Sequence, residues 1–292
     1  AGLAYYNSLA YAKERIQGRP ITDPRGARVP LIKHEDIQRM LFYQKSIIEA
    51  MRAMNIKTYL YIDMAQDSPD ENERKQARMM YEINVPICKA FSSDMVWRTV
   101  EEAIQIYGGY GYMEEYPLAQ IARDCKIHSI WEGTNYIQAM DLIGRKFTMG
   151  KGQPFMLWLS EIETFITVNQ DFLPFEAEMK MLKRCFESYQ EILGLLQGYL
   201  KENQYSMMPL FATRIMYASA LVYSAYLLLD QAILACQKLQ ELGKDHFNSS
   251  FYKGKIGSAK FFVNNVVPEI FAIKESFAAG DMSILNLPEE AY

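Results

Sequence analysis

The residue with the clearest potential for chemistry is Glu132, which stands between Trp131 and Gly133 and directly before Thr134. A large apolar neighbour disfavours the charged form of a carboxylate, whereas a helix N-terminus favours it. Thr134 is predicted to be the N-cap of a helix. A carboxylate placed between these opposed influences can act as a general base when a ligand covers it. The alternative is a surface glutamate that supports the helix N-terminus.

A glycine-rich segment is the second candidate. It begins at Gln105, and Gly108, Gly109 and Gly111 follow within a few positions. Glycine lets a backbone approach a ligand closely, and its N–H groups can bind phosphate. The alternative is an ordinary helix stop. No strand is predicted before the segment, so it does not match the Rossmann fingerprint.

Two further segments carry charges inside helical patterns. Arg15 and Gln17 lie at the end of a predicted helix, where a cation and the following Gly18 are also explained by helix termination alone. Arg123 and Asp124 lie in a mostly apolar helix and are predicted to form structural ion pairs.

Composition excludes several classes of function. The 292 residues include 31 lysines and arginines against 35 acidic residues, a net charge of −4, so the basic surplus typical of nucleic-acid binding is missing. The four cysteines are far apart, and His34, His128 and His246 do not form a ligand set. We therefore expect reduced thiols, a cytoplasmic location and no metal site.

Helical periodicity covers the first half of the chain. Apolar residues recur three or four positions apart over Glu35–Gln66 and again over Glu73–Tyr107. Pro86 is predicted to break or kink the second pattern and to open a new helix. Shorter helices are predicted over Pro117–His128 and Thr134–Phe147.

The second half begins after the glycine-rich linker Gly150–Pro154. Four more helical segments are predicted there, including stripes over Phe211–Leu239 and Ile256–Phe277. The uncharged stretch Ile215–Leu229 is shorter than the roughly 20 residues that span a bilayer, which favours a buried bundle helix without a membrane span. Without a credible strand pattern, the sequence predicts an all-α fold of two tandem helical bundles, 1–149 and 153–292.

The order of the motifs points to a family. The chain contains, in sequence, ERIQ, QIYGGYGY, EYPLAQIARD and IWEGTNYIQ. Through roughly residues 1–147 this series resembles the C-terminal four-helix bundle of the acyl-CoA dehydrogenases, flavoenzymes that oxidise fatty acyl-CoA thioesters. The part from residue 153 is similar to the C-terminal helical extension of the larger bacterial members.

The resemblance implies a reaction. Glu132 matches the glutamate that removes the α-proton of the thioester, while the β-hydrogen leaves as hydride to the flavin and trans-2-enoyl-CoA forms. The family's N-terminal helical domain and middle β-domain are not found in this sequence. The chain is therefore expected to be the C-terminal portion of a longer enzyme and to be inactive alone.

The resemblance also implies FAD as cofactor. Thr134 matches a contact to an FAD phosphate, and Arg15 and Gln17 match the pair that reaches the pyrophosphate. Gln105 to Gly109, including Gly108, match the segment that contacts the adenosine end across a subunit interface, which implies at least a homodimer. In this chain Gln17 is followed by Gly18-Arg19, where the family commonly has phenylalanine and glycine.

Three interpretations stay open at this point. The first is a dehydrogenase that takes an acyl-CoA substrate and passes electrons to an electron-transfer flavoprotein. The second is an acyl-CoA oxidase of the same fold, which passes electrons to oxygen. The third is a non-catalytic helical oligomerisation module.

Overall fold

The computed structural model describes residues 1–243 and 245–292. Their regular structure is helical, and the β pairing among them is one isolated bridge between Ile16 and Pro30. This confirms the predicted all-α fold. The α-helices of the described residues are α1 (Gly2–Glu14), α2 (Glu35–Asp67), α3 (Glu71–Tyr107), α4 (Gly109–Tyr112), α5 (Pro117–Lys126), α6 (Asn135–Met140), α7 (Gln153–Asn169), α8 (Glu176–Lys201), α9 (Met207–Leu242), α10 (Ser249–Asn265) and α11 (Glu269–Ala278).

Helix α3 corrects the prediction that Pro86 opens a new helix. The helix runs without interruption from Glu71 to Tyr107, and Pro86 lies inside it. Proline costs a helix interior about 3 kcal/mol. Here the neighbouring side chains Ile83 and Ile87 are almost completely buried, so packing on both sides of the proline offsets that cost.

The predicted stripe over Ile256–Phe277 is two helices instead of one. Helix α10 ends at Asn265, and Pro268 precedes the first residue of α11. Proline has no N–H to donate and clashes with the carbonyl four residues earlier. It separates the two helices here, although Val267 and Ile270 beside it are buried. Beyond residue 152 the described residues therefore form five α-helices and not four.

Helix α9 forms the centre of the core. Its residues from Ala218 to Leu229 are all buried, which confirms that Ile215–Leu229 belongs to a buried helix. By length and composition α9 could also cross a membrane, but 72% of its most apolar window is buried inside this fold. Helices of both halves surround it, including α2, α6, α8 and α10.

The two halves meet in one hydrophobic core. Buried residues of α2 and α3, such as Met54 and Phe91, belong to the same cluster as Tyr189 of α8 and Phe262 of α10. At the connection between the halves, the rings of Phe147 and Phe155 stack at 3.8 Å. The domain boundary at residues 149–153 stays a prediction, because continuity of the core does not decide it.

A polar cluster also joins the halves. Glu161 of α7 accepts hydrogen bonds from Tyr61 of α2 (2.5 Å) and from Tyr226 (3.1 Å) and Tyr223 (3.4 Å) of α9. Lys57 of α2 lies 3.2 Å from the same carboxylate. Burial and the charge of Glu161 raise the pKa values of Tyr61 and Tyr226 above the usual value of a tyrosine. These hydroxyls therefore stay protonated and donate hydrogen bonds to Glu161.

Replacement of Glu161 should therefore destabilise the whole fold. Glu161→Leu leaves Lys57 and three tyrosine hydroxyls without their acceptor, and we expect the free energy of unfolding to fall by about 2–4 kcal/mol. Urea unfolding followed by circular dichroism measures this change. The matched control is Glu163→Leu on the exposed side of α7, which should change the free energy by less than about 0.5 kcal/mol. Equal effects of the two variants would show that the cluster does not stabilise the fold.

Candidate functional site

Glu132 lies in a tight loop between α5 and α6. Its φ of 52° is in the left-handed region, and the next residue, Gly133, has a φ of 85°. Such a φ is uncommon for a residue with a Cβ and concentrates at functional sites. A Cβ on Gly133 would also lie 2.8 Å from the side-chain nitrogen of Gln138. The positive φ therefore favours glycine at 133.

The loop leads directly into α6. Thr134 is the N-cap, as predicted, and its hydroxyl accepts a hydrogen bond from the backbone N–H of Ile137 at 3.3 Å. The next residue, Asn135, is buried, with 7% of its surface exposed. All four hydrogen-bonding positions of its amide group are used by partners on α3.

These partners form what we call the α3 anchor: Lys89, Ser93 and Asp94 on α3 together with Asn135. Asn135 donates to Asp94 at 2.7 Å and accepts from Lys89 at 2.9 Å and from Ser93 at 3.0 Å. Lys89 also donates to the backbone oxygen of Gly133 at 2.7 Å. Burial lowers the pKa of Lys89, and the charges of Asp94 and Glu132 oppose that shift.

A cavity of about 490 Å³ opens beside Glu132. This volume is in the range of small-molecule sites. Its wall includes Trp131 and Lys89, and Arg52 of α2 adds a second cation. The hydroxyl of Ser92, also in the wall, is buried without a hydrogen-bond partner among the described residues. An unpaired buried hydroxyl is free to bond to a ligand.

The glycine-rich segment and Arg15 come together at a different place. Helix α3 ends at Gly108, whose φ is 61°. The ring of Tyr107 stacks on Tyr11 of α1 at 4.2 Å, and the guanidinium of Arg15 lies over the ring of Tyr110 at 5.8 Å. The ends of α1 and α3 therefore form one surface.

This surface fits a phosphate-bearing group. Among the described residues, no atom beyond the adjoining backbone lies within 4 Å of a Cβ added at Gly108 or Gly109, so the backbone there is accessible. Arg15 is exposed and has no acidic partner among the described residues. The backbone of Gln17 forms hydrogen bonds with Val29 and His34. Gln17 and Gln105 are both exposed.

The predicted site residues fall into two groups. Arg15 lies just beyond the C-terminal end of α1, whereas Gly2, at the start of α1, lines the cavity of Glu132. With 13 residues in α1, the groups are separated by the length of that helix, roughly 20 Å. One phosphate group therefore cannot contact both Arg15 and Thr134 of a single chain.

The α3 anchor was not predicted from the sequence, and one predicted ion-pair arrangement is absent among the described residues. Lys89 is a charged residue next to the buried Ala90 and Phe91, and that contrast was its available signal. Arg123 and Asp124 are both exposed and form no ion pair among the described residues, so the predicted structural pairs are wrong. Among residues 1–243 and 245–292, no group of three or more His, Cys, Asp or Glu side chains is placed to hold a metal ion.

Two family models match the chain. Residues 1–147 match the model described as "Acyl-CoA dehydrogenase, C-terminal domain". Residues 158–288 match the model described as "Acetyl-CoA dehydrogenase C-terminal like". Together the two matches cover both halves of the chain.

Named relatives agree with these matches. A butyryl-CoA dehydrogenase of Syntrophomonas wolfei is 50% identical over 290 residues, which are 99% of this chain and 47% of that protein. A caffeyl-CoA reductase-Etf complex subunit of Acetobacterium woodii is 28% identical over 137 residues, 47% of this chain and 30% of that subunit. The chain spans about half the length of the butyryl-CoA dehydrogenase it matches.

A solved structure shows the same fold. The acyl-CoA dehydrogenase of Bacillus anthracis, complexed with FAD, superposes with a TM-score of 0.66 and 21% identity. The superposition covers 97% of this chain and 47% of that one. At this level of identity the comparison establishes the fold.

The two adjacent glycines at the end of α3 provide a matched pair of variants. The backbone of Gly108, with φ 61° and ψ −141°, is strained for any residue with a Cβ, so Gly108→Ala should lower the free energy of unfolding by about 1–3 kcal/mol. Gly109 is the first residue of α4 and has open space around it. Gly109→Ala should leave stability unchanged or raise it slightly. Thermal and urea unfolding measure both, and equal stability of the two variants would contradict this backbone geometry.

Proposed function

Since the chain belongs to the acyl-CoA dehydrogenase family, we propose that it is the C-terminal portion of an FAD-dependent acyl-CoA dehydrogenase. The observation that carries the proposal is Glu132, held in a left-handed loop at the edge of a ligand-sized cavity. The proposed reaction is α,β-dehydrogenation of an acyl-CoA thioester to trans-2-enoyl-CoA. Butyryl-CoA is the proposed substrate to test first, because a butyryl-CoA dehydrogenase is 50% identical to this chain over 290 residues.

Glu132 is the proposed base. An α-proton of a thioester is a weak acid, so a carboxylate must be held close to it and shielded from water. Trp131 supplies an apolar wall beside the carboxylate. When bound, FAD supplies the acceptor for the hydride that leaves the β-carbon. Arg52 and Lys89 provide positive charge in the same cavity.

The residues fit FAD only when two chains share it. Arg15, Gln17, Gln105, Gly108 and Gly109 would hold one end of an FAD molecule. Thr134 would contact the FAD of a second copy, because the loop that leads to it lines the cavity at the other end of α1. This separation supports a homodimer or larger oligomer in which every cofactor is held by two subunits.

Exposed apolar side chains beside Glu132 indicate that another part of the protein covers this surface. Ile130, Trp131, Tyr136 and Ile137 are each about half exposed, between 45% and 54%. Large apolar side chains exposed together mark a surface that meets another protein part. We propose that other domains of the enzyme or a second subunit cover this surface and close the acyl cavity.

We propose an electron-transfer flavoprotein as the electron acceptor, since one relative is named as a subunit of an Etf complex. The proposed location is the cytoplasm. It is supported by four cysteines that are all free of disulfides in the structure.

In the enzyme that contains this chain, Glu132→Gln should stop flavin reduction and leave FAD bound. Glutamine keeps the volume of the side chain but cannot take the proton, and loss of a general base costs roughly 10²–10⁴-fold in rate. Rapid mixing with butyryl-CoA measures the rate as loss of the absorbance of oxidised flavin. Oxygen consumption measured in parallel distinguishes a dehydrogenase from an oxidase.

The matched control is Glu187→Gln, which changes an exposed carboxylate on α8. The enzyme with this substitution should reduce its flavin at the wild-type rate. A Glu132→Gln variant that reduces flavin almost as fast as the wild type would show that Glu132 is not the base. A wild-type enzyme that purifies without FAD, or whose FAD no acyl-CoA reduces, would refute the proposed function itself.

Mixed dimers test whether two chains share each site. Arg15→Glu should weaken FAD retention and Glu132→Gln should abolish proton removal, so each homodimer is inactive. In a mixed dimer one site carries both defects and the other carries neither. Co-expression should therefore restore about a quarter of the wild-type activity, because half of the dimers are mixed and each has one intact site. No recovery would mean that Arg15 and Glu132 serve the same site within one chain.

A further inference from the structure

The backbone of the Glu132 loop has few contacts of its own. Glu132 and Gly133 are both in the left-handed region, a conformation that surrounding structure must impose on a glutamate. Among the described residues, neither the N–H of Glu132 nor that of Gly133 donates to another group. The N–H groups of Ile130 and Trp131 donate to the carbonyl oxygen of Ile127, before the loop. After Glu132, the carbonyl oxygen of Gly133 accepts hydrogen bonds.

That carbonyl oxygen has two donors. Lys89 donates to it at 2.7 Å, and Gln138 approaches it at 3.5 Å, the upper limit for a hydrogen bond. Gln138 belongs to α6 and moves with the loop. Lys89 belongs to α3, whose neighbouring residues are packed in the core. Lys89 therefore ties the loop directly to the rigid part of the fold.

The same ammonium group also fixes the start of α6. It donates to the side-chain oxygen of Asn135 at 2.9 Å, an atom that also accepts from Ser93. The amide nitrogen of Asn135 donates to Asp94. Two bonds from one lysine therefore reach both sides of Thr134, at residues 133 and 135. Hydrogen bonds made by a charged donor are stronger than neutral ones. Lys89 also lies in the wall of the cavity that contains Glu132.

We propose that Lys89 is a positioning residue for the reaction: by bonding Gly133 and Asn135 it holds the Glu132 carboxylate toward the substrate cavity. The proposal rests on the proposed function of Glu132 as the base. Lys89 does not take part in proton transfer. It limits the orientations of the loop, and a misplaced base can lose a large part of its rate without any loss of ligand binding.

Two measurements on Lys89→Met test the proposal. In the FAD-loaded enzyme, rapid mixing with butyryl-CoA should give a limiting rate of flavin reduction at least about tenfold lower. The apparent dissociation constant of butyryl-CoA should change by less than about threefold, because Lys89 positions the base and not the substrate. Hydrogen exchange of the 292-residue chain should show faster exchange in residues 130–137 and unchanged exchange in α3.

Lys89→Arg and Lys75→Met are the comparison variants. Arginine can donate to both oxygens and should restore most of the rate and of the protection from exchange. Lys75 is an exposed lysine on the same helix, paired with Glu71, so Lys75→Met removes the same charge from α3 and should change neither measurement. If Lys89→Met does not give soluble protein, Lys89→Gln takes its place. This variant removes the charge, and the same fall in rate and rise in exchange are expected of it.

Unchanged exchange of residues 130–137 in Lys89→Met would overturn the proposal, and so would a limiting rate within twofold of the wild type. A loss of FAD or a general rise in exchange in both Lys89→Met and Lys89→Arg would also overturn it, since that result indicates a role in folding. If the wild-type enzyme does not reduce its flavin with any acyl-CoA, the proposed function has failed. The exchange comparison then still decides whether Lys89 holds the loop.

Discussion

The continuity of helix α3 through Pro86 is the constraint on which the arrangement of the site depends. A proline in a helix interior removes one hydrogen bond and crowds the preceding turn. In α3 the residues on both sides of the proline are buried in the core that both halves of the chain share. The free energy gained from this packing keeps the helix intact, so one element extends from the centre of the molecule to its surface.

Because α3 is continuous, it sets the distance between the two groups of candidate residues. Lys89 meets the Glu132 loop, and Tyr107, 18 positions later, meets α1 beside the glycine-rich segment. At 1.5 Å per residue these points are roughly 27 Å apart along the helix. A bend at Pro86 would move the two groups relative to the second half of the chain. Sharing of a cofactor between two subunits, as proposed, is the arrangement that makes such a separation useful.

The predictable part of the fold was the part governed by local pattern. The 33-residue helix α2 and the buried helix α9 follow from apolar periodicity, and the Thr134 cap follows from its side-chain chemistry. Two prolines with the same local chemistry had opposite outcomes. Pro268 separates α10 from α11, whereas Pro86 does not interrupt α3. Residues beside both prolines are buried, but Pro86 is itself buried whereas Pro268 is only partly buried. Single-sequence patterns do not contain this tertiary packing. The motifs likewise identified candidate residues but not their division between two ends of α1.

The Glu132 loop shows why the remaining part of the site lay beyond the sequence. A left-handed glutamate followed by a left-handed glycine is a conformation of higher energy than an ordinary turn, by about 1–3 kcal/mol for the glutamate. Such a loop keeps one orientation only if other groups hold it. The buried Asn135 does so for α6, since its four hydrogen bonds would all be lost if α6 moved away from α3. A carboxylate on a loop anchored in this way can remain close to the cavity without forming a strong ion pair, and so stays available to accept a proton.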